Sequence, residues 1–227
     1  MSTASFNIRL AGILVFAGIG AGLLSVAPAI DSPEYLFQAA QQPSQVKIAA
    51  MGQVLLGLCY LGFALLLFPV VRHFGETLSL GFLSFRILAA SVAIVATVVM
   101  LAILNLSQLV EVHRPDEISA LTTLGDVLRG ARDQLNHVFM VMALCAGNTM
   151  FFLLTFRAQL LPSWLSLWGI AGAGLSVAAS GAVLFAKMEI ITVEYIALNL
   201  PTATAELLVG FWLLFKGLQR APQECPA

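Results

Sequence analysis

LGFLSFRILAASVAIVATVVMLAILNLSQL, residues 80–109, carries a single charged side chain, Arg86. About 20 consecutive, mostly apolar residues in a helix cross a bilayer. The stretch is therefore long enough to span. A strand is excluded there, because hydrocarbon leaves unpaired backbone groups unsatisfied. Working outward, five further segments have the same character: 9–30, 46–71, 135–157, 164–187 and 199–218. The expected fold is an all-α, polytopic transmembrane helical bundle of about six spans, forming a single membrane domain over residues 1–227.

Composition agrees. Of 227 residues, 59% are apolar and 10% charged, against roughly 25% charged in soluble domains. A soluble chain of this size cannot hide so much apolar surface. Net charge is −1 and no basic run occurs, so the lipid bilayer is the expected partner and nucleic acid is not. Cys59, Cys145 and Cys225 lack CxxC spacing, and the first two sit in apolar runs where a thiol acts as a small hydrophobe. Gly12, Gly18, Gly22, Gly169, Gly172 and Gly174 fit close helix contacts, within or between chains. Oligomeric state does not follow from the sequence.

Ala27-Pro28-Ala29 mimics a signal-peptide cleavage site, but the preceding run is long and glycine-rich, which favours a retained helix. With the N-terminus inside, Arg9, Arg72, Arg86, Arg157, Lys216 and Arg220 face the cytoplasm. Lys47, Arg114, Arg129, Arg132 and Lys187 lie outside. Three of those five share one longer loop, which weakens their vote. A bacterial inner membrane with both termini cytoplasmic is the expected setting. In the loop 111–134, Ile118, Leu121, Leu124, Leu128 and Leu135 recur at helical spacing among charges. That predicts a short amphipathic helix on the outer interface or capping the bundle. Ser32-Pro33-Glu34 reads as the start of a small helix, with serine as cap and proline at the first position. GIGAGLLSVA from Gly18 resembles GIAGAGLSVA from Gly169; a parallel two-helix repeat and chance likeness between apolar helices both account for it.

Polar residues inside spans mark where chemistry can reside, because each needs a partner or water. Glu206 lies about seven residues from the outer end of the sixth helix, roughly 10 Å deep. A mid-membrane acid costs about 2.5–3.5 kcal/mol on the translocon scale, so Glu206 is expected to be protonated, paired or hydrated. Arg86 is the basic group within reach, across an axial gap of about 6 Å if the helices are neighbours. A structural ion pair, a snorkelling arginine and a ligand-binding or proton-titrating Glu206 are the competing readings. Gln53, Asn105, Gln108 and Asn199 fall at similar depth, with His137 nearer the surface. Asp133 and His137, four apart, share a helical face. With Glu206 these groups are expected either to line an outward-open polar cavity or to join helices by hydrogen bonds. Asn148 reads as inter-helix glue.

No Gly-x-Ser-x-Gly, HExxH, Walker A or Rossmann pattern is present. His73 and His137 fall on opposite sides, so no bis-histidine haem forms. His113 with Asp116 and Glu117 makes a weak surface metal set. No catalytic residue, metal or cofactor is expected.

Arg9-Leu10-Ala11-Gly12, Phe85-Arg86, His137, Leu161-Pro162, Trp164-Leu165, Glu206-Leu207, Trp212-Leu213 and Lys216-Gly217 together resemble the bacterial membrane-protein family catalogued as domain of unknown function 4386. Members tend to carry an acid near the start of the second helix, where this chain has Gln53. The resemblance implies a retained first helix and draws attention to Arg86, His137 and Glu206, without implying an activity. The leading expectation is a non-enzymatic protein that binds a small or lipid-like ligand, or regulates a membrane process, through an outward-facing polar pocket. A proton-coupled carrier titrating Glu206 is the alternative, with Pro201 as the nearest approach to a broken helix. An intramembrane enzyme using His137 and Glu206 comes third.

Overall fold

In the computed structural model, residues 3–110, 115–185, 187–190 and 192–219 are described. His113, the side chains of Asp116 and Glu117, and Arg114, Arg220 and Cys225 fall outside the described parts. Among the described residues every regular element is helical. α1 spans Thr3–Leu24, α2 Pro28–Asp31, α3 Tyr35–Gln41, α4 Pro43–Val71 and α5 Glu76–Val110. α6 spans Pro115–Gln134, α7 Met140–Arg157, α8 Ser163–Leu184 and α9 Val193–Phe215. Among the described residues, six helices are long and apolar enough to cross a membrane, and α6 and α7 together supply the fourth.

Each spanning helix packs on the one before and the one after it, and α9 returns to pack on α1. The six therefore form a closed ring of antiparallel neighbours, as short connections favour. One face carries the start of α1 and the end of α9 (the terminal face). The opposite one carries α2, α3 and α6 (the loop face). Leu23, Met51, Val98 and Phe185 point outward and stay exposed, which hydrocarbon tolerates. Toward the terminal face the core is built on Phe63, Leu67, Phe82, Phe151 and Leu213. Toward the loop face it is built on Ile30, Tyr35, Val46, Met100 and Ile103.

One expectation is met in one of its two forms, and one changes. The amphipathic helix is present and caps the loop face of the bundle. α6 runs through a π-helical turn, Leu135–Phe139, directly into α7. It packs on α5, with Leu121 and Leu128 against the core that holds Tyr35. Ser32 does not start a helix. Pro28 occupies the first turn of α2, and the Ser32 backbone N–H closes that helix on the Pro28 carbonyl at 3.1 Å. α3 then begins after Glu34.

The glycines divide. A Cβ on Gly12 would stand 2.9 Å from the Gly210 carbonyl oxygen and the Leu214 nitrogen, so the backbones of α1 and α9 touch there. Gly52 admits the backbone of Leu24 and Ser25 in the same way. Gly174 has no neighbour within 4 Å and makes no close contact.

Candidate ligand site at the centre of the bundle

Between the two apolar cores lies a belt of polar side chains. Arg86 comes from α5, Asn148 from α7 and Glu206 from near the middle of α9. Because α9 begins at Val193 rather than near 199, Glu206 sits deeper than its expected position. The Arg86 Nη2 donates to Asn148 Oδ1 at 2.5 Å, and Asn148 Nδ2 donates to Glu206 Oε1 at 2.9 Å. Arg86 Nη2 and Glu206 Oε1 are 3.7 Å apart, so the amide carries the link between the two charges. Asn148 is suited to this because one side chain offers both an acceptor and donors.

Arg86 does not snorkel; only 3% of it is exposed. Its guanidinium lies 5.2 Å from the ring centres of Tyr60 and Phe63 and 5.6 Å from that of Phe82. Such a cage favours a cation through the ring quadrupoles. The Nε is buried without a hydrogen-bond partner. Glu206 is more open, with 22% of its side chain exposed. Both groups line a cavity of about 120 Å³ with Leu14, Gly18, Leu56 and Tyr60. Phe63, Phe151 and Phe152 line it toward the terminal face; Phe63 meets Phe82 and Phe151 edge-on, and Phe82 lies tilted on Phe151, with ring centres 5.1–6.0 Å apart.

A second cavity, about 390 Å³, lies nearer the loop face and is lined by Asp31, Gln53, Arg132, Asn136 and His137. The two share Gly22 and Leu56 as walls. Of the two expectations, a shared polar cavity and hydrogen bonds between helices, the first is not met as one space: Glu206 lines one cavity, and Gln53 and His137 line the other. Gln53 Nε2 donates to Asn136 Oδ1 at 2.6 Å and to the Ala93 carbonyl at 3.3 Å. Gln53 thus joins α4 to α5 and to the turn between α6 and α7.

His137 Nδ1 meets the Tyr195 hydroxyl at 3.2 Å, and Ser180 Oγ donates to the His137 carbonyl at 2.9 Å. Asp133 does not orient this imidazole. The wider π turn begins between them and breaks the four-residue register, and Asp133 lies instead 3.3 Å from Arg132 Nη1. Asn105 and Gln108 are exposed on the outer side of α5 and line neither cavity. Asn199 donates to its own helix at Tyr195. Sequence reasoning missed the ion pair of Arg132 with Asp31 at 2.6 Å. Nothing in the spacing of those residues, about a hundred apart, signals it.

The ring of six spans around a buried arginine–amide–carboxylate chain defines an integral membrane protein with an internal polar site. Residues 10–217 match the model of the family described as Domain of unknown function (DUF4386), and the chain belongs to that family. No match was found among curated proteins or among solved structures.

Proposed function

We propose that the chain is a single, non-enzymatic membrane domain that binds a small or lipid-like ligand in the cavity beside Glu206. The observation that carries this reading is the incomplete satisfaction of the polar chain. Arg86 Nε is buried with no partner, although Glu206 and an open cavity stand beside it. Buried polar networks that serve only to hold helices together are normally fully satisfied. A mostly apolar pocket with a few convergent polar groups is the usual form of a small-molecule site. The setting that fits best is a bacterial inner membrane with the terminal face cytoplasmic. With Arg86 withdrawn into the bundle and Arg132 buried in its pair with Asp31, Arg9, Arg72, Arg157 and Lys216 on that side stand against Lys47, Arg129 and Lys187 on the other.

Native mass spectrometry of the protein beside Glu206→Gln, with denatured extracts analysed for lipids, metabolites and metals, tests the proposal. A stoichiometric companion retained by the wild type and lost from the variant is the expected result. A wild type that carries nothing, or a companion retained equally by the folded variant, would sink it.

One observation favours a second reading, a proton-coupled carrier. Both cavities lie on the loop side of the phenylalanine cluster, as in an outward-facing state. Against it, α9 passes Pro201 without a break. Proton-driven uptake into liposomes that vanishes in Glu206→Gln would favour the carrier.

A further inference from the structure

We propose that the ligand is a single-chain amphiphile with an uncharged hydroxyl or amide head, which enters sideways from the bilayer between the loop-side halves of α1 and α9. This rests on the binding reading above and adds the ligand's chemistry and its route.

The route follows from where α1 and α9 touch. Gly12 meets the α9 backbone at Gly210 and Leu214. One turn further, Val15 packs on Gly210, and Phe16 meets Phe211 edge-on at 4.8 Å. α1 packs on α4 all along this stretch, with Leu14 at Gly62, Gly18 at Cys59 and the backbone of Leu24 and Ser25 at Gly52. The face of α1 that meets α9 continues at Ile19 and Leu23, by helical spacing. The matching face of α9 continues at Leu207, Ala203 and Leu200. All five are exposed; Leu23 reaches 73% and Leu200 56%. Two helices that are in backbone contact at one level thus present uncovered faces at the next. Ile19 is exposed and also lines the cavity that holds Glu206. The crevice therefore leads from lipid to the polar chain. An apolar tail fits the crevice, and the cavity of about 120 Å³ suits a head and a few carbons.

Charge sets the head. Arg86 and Glu206 already balance, and an ionic head would add an unpaired charge in a low-dielectric interior. What the site lacks is an acceptor for Arg86 Nε and a donor for the free acceptor capacity of Glu206. A hydroxyl supplies both from one atom, and an amide does so from adjacent atoms.

The test uses the full chain in phosphatidylcholine nanodiscs with three diazirine-bearing probes: hexadecanol, hexadecanoic acid and hexadecylamine. Labelled residues are located by mass spectrometry. Hexadecanol should label the crevice around Ile19, Gly22, Ala203 and Leu207 about tenfold more than the acid or amine do, a difference of about 1.4 kcal/mol. The lipid-facing pair Ile19→Trp with Ala203→Trp should abolish that labelling while the protein stays folded. Equal labelling around the whole lipid-facing surface, or a preference for the acid or amine, overturns the inference. Labelling lost in Glu206→Gln but untouched by the tryptophan pair also overturns it, while leaving ligand binding at Glu206 intact. Crevice labelling that survives Glu206→Gln removes both readings.

Discussion

Glu206 and Arg86 are opposite charges 3.7 Å apart that share no hydrogen bond; the amide of Asn148 joins them. Replacing Asn148 with leucine keeps the volume and removes both links. Hydrogen bonds to charged groups contribute about 1.5–3 kcal/mol in water-soluble proteins, while inter-helix bonds in membranes average about 0.6 kcal/mol. Asn148→Leu should therefore cost about 1–3 kcal/mol, read as an earlier midpoint when the protein in mixed micelles is titrated with dodecyl sulfate. An unchanged midpoint would mean that the amide is dispensable and that the two charges settle directly.

The two charges are not equivalent, which a pair of single variants exposes. Glu206→Gln leaves a guanidinium that stays charged in any protein environment, caged by Tyr60, Phe63 and Phe82. Arg86→Met leaves a carboxyl group, which can exist neutral in apolar surroundings. Glu206→Gln should be the costlier single change, at about 3 kcal/mol or more. The double variant should recover part of that loss, with a coupling of about 1–3 kcal/mol. Additive losses in the same micelle titration would show that the groups do not act as a pair.

These charges were legible because each interrupts a long apolar run, and depth alone marks them as needing partners. The spans were legible for a simpler reason, since crossing a bilayer is a rule of length and composition. Depth does not reveal rotation about the helix axis, and that is why Asn105, at the right level, turns out on the exposed side of α5. Nor does a single chain of letters say which helices adjoin. Asn148 looked like generic glue until α5 and α9 were placed on either side of it. The π turn at Leu135–Phe139 was hidden for the same cause. The groups that meet His137 within it, Ser180 and Tyr195, lie on α8 and α9.

The backbone contact at Gly12 leaves no flexible atom to yield. A methyl group there would lie 2.9 Å from backbone atoms of Gly210 and Leu214, so α1 and α9 must separate to admit it. Gly12→Ala should cost about 1–3 kcal/mol, the usual range for overpacking. Gly174→Ala is the control, with no neighbour within 4 Å. It should be neutral or stabilising by up to about 1 kcal/mol through helix propensity. Thermal melts of the two variants in one detergent check the contrast, and equal melting temperatures would refute the contact.

Tyr35, at the start of α3 and outside the spans, ties the loop-face cap together. Its hydroxyl donates to Asp126 Oδ1 on α6 at 2.9 Å, and the Arg129 guanidinium lies 5.2 Å from its ring centre. Burial pushes the phenol up to about 12, helped by the Asp126 hydrogen bond and charge and opposed by Arg129. The folded protein therefore holds the neutral phenol more tightly than the unfolded chain, whose value is near 10. The resulting stability is fully present below about pH 10 and is lost as pH climbs through about 12. Hydrogen exchange across α6 should stay slow up to about pH 10 and quicken above it, together with the phenolate absorbance of Tyr35. Tyr35→Phe should remove that alkaline step and cost about 1 kcal/mol at neutral pH, the worth of one hydrogen bond. If wild type and Tyr35→Phe loosen at the same alkaline pH, the phenol is not the group that holds α3 to α6.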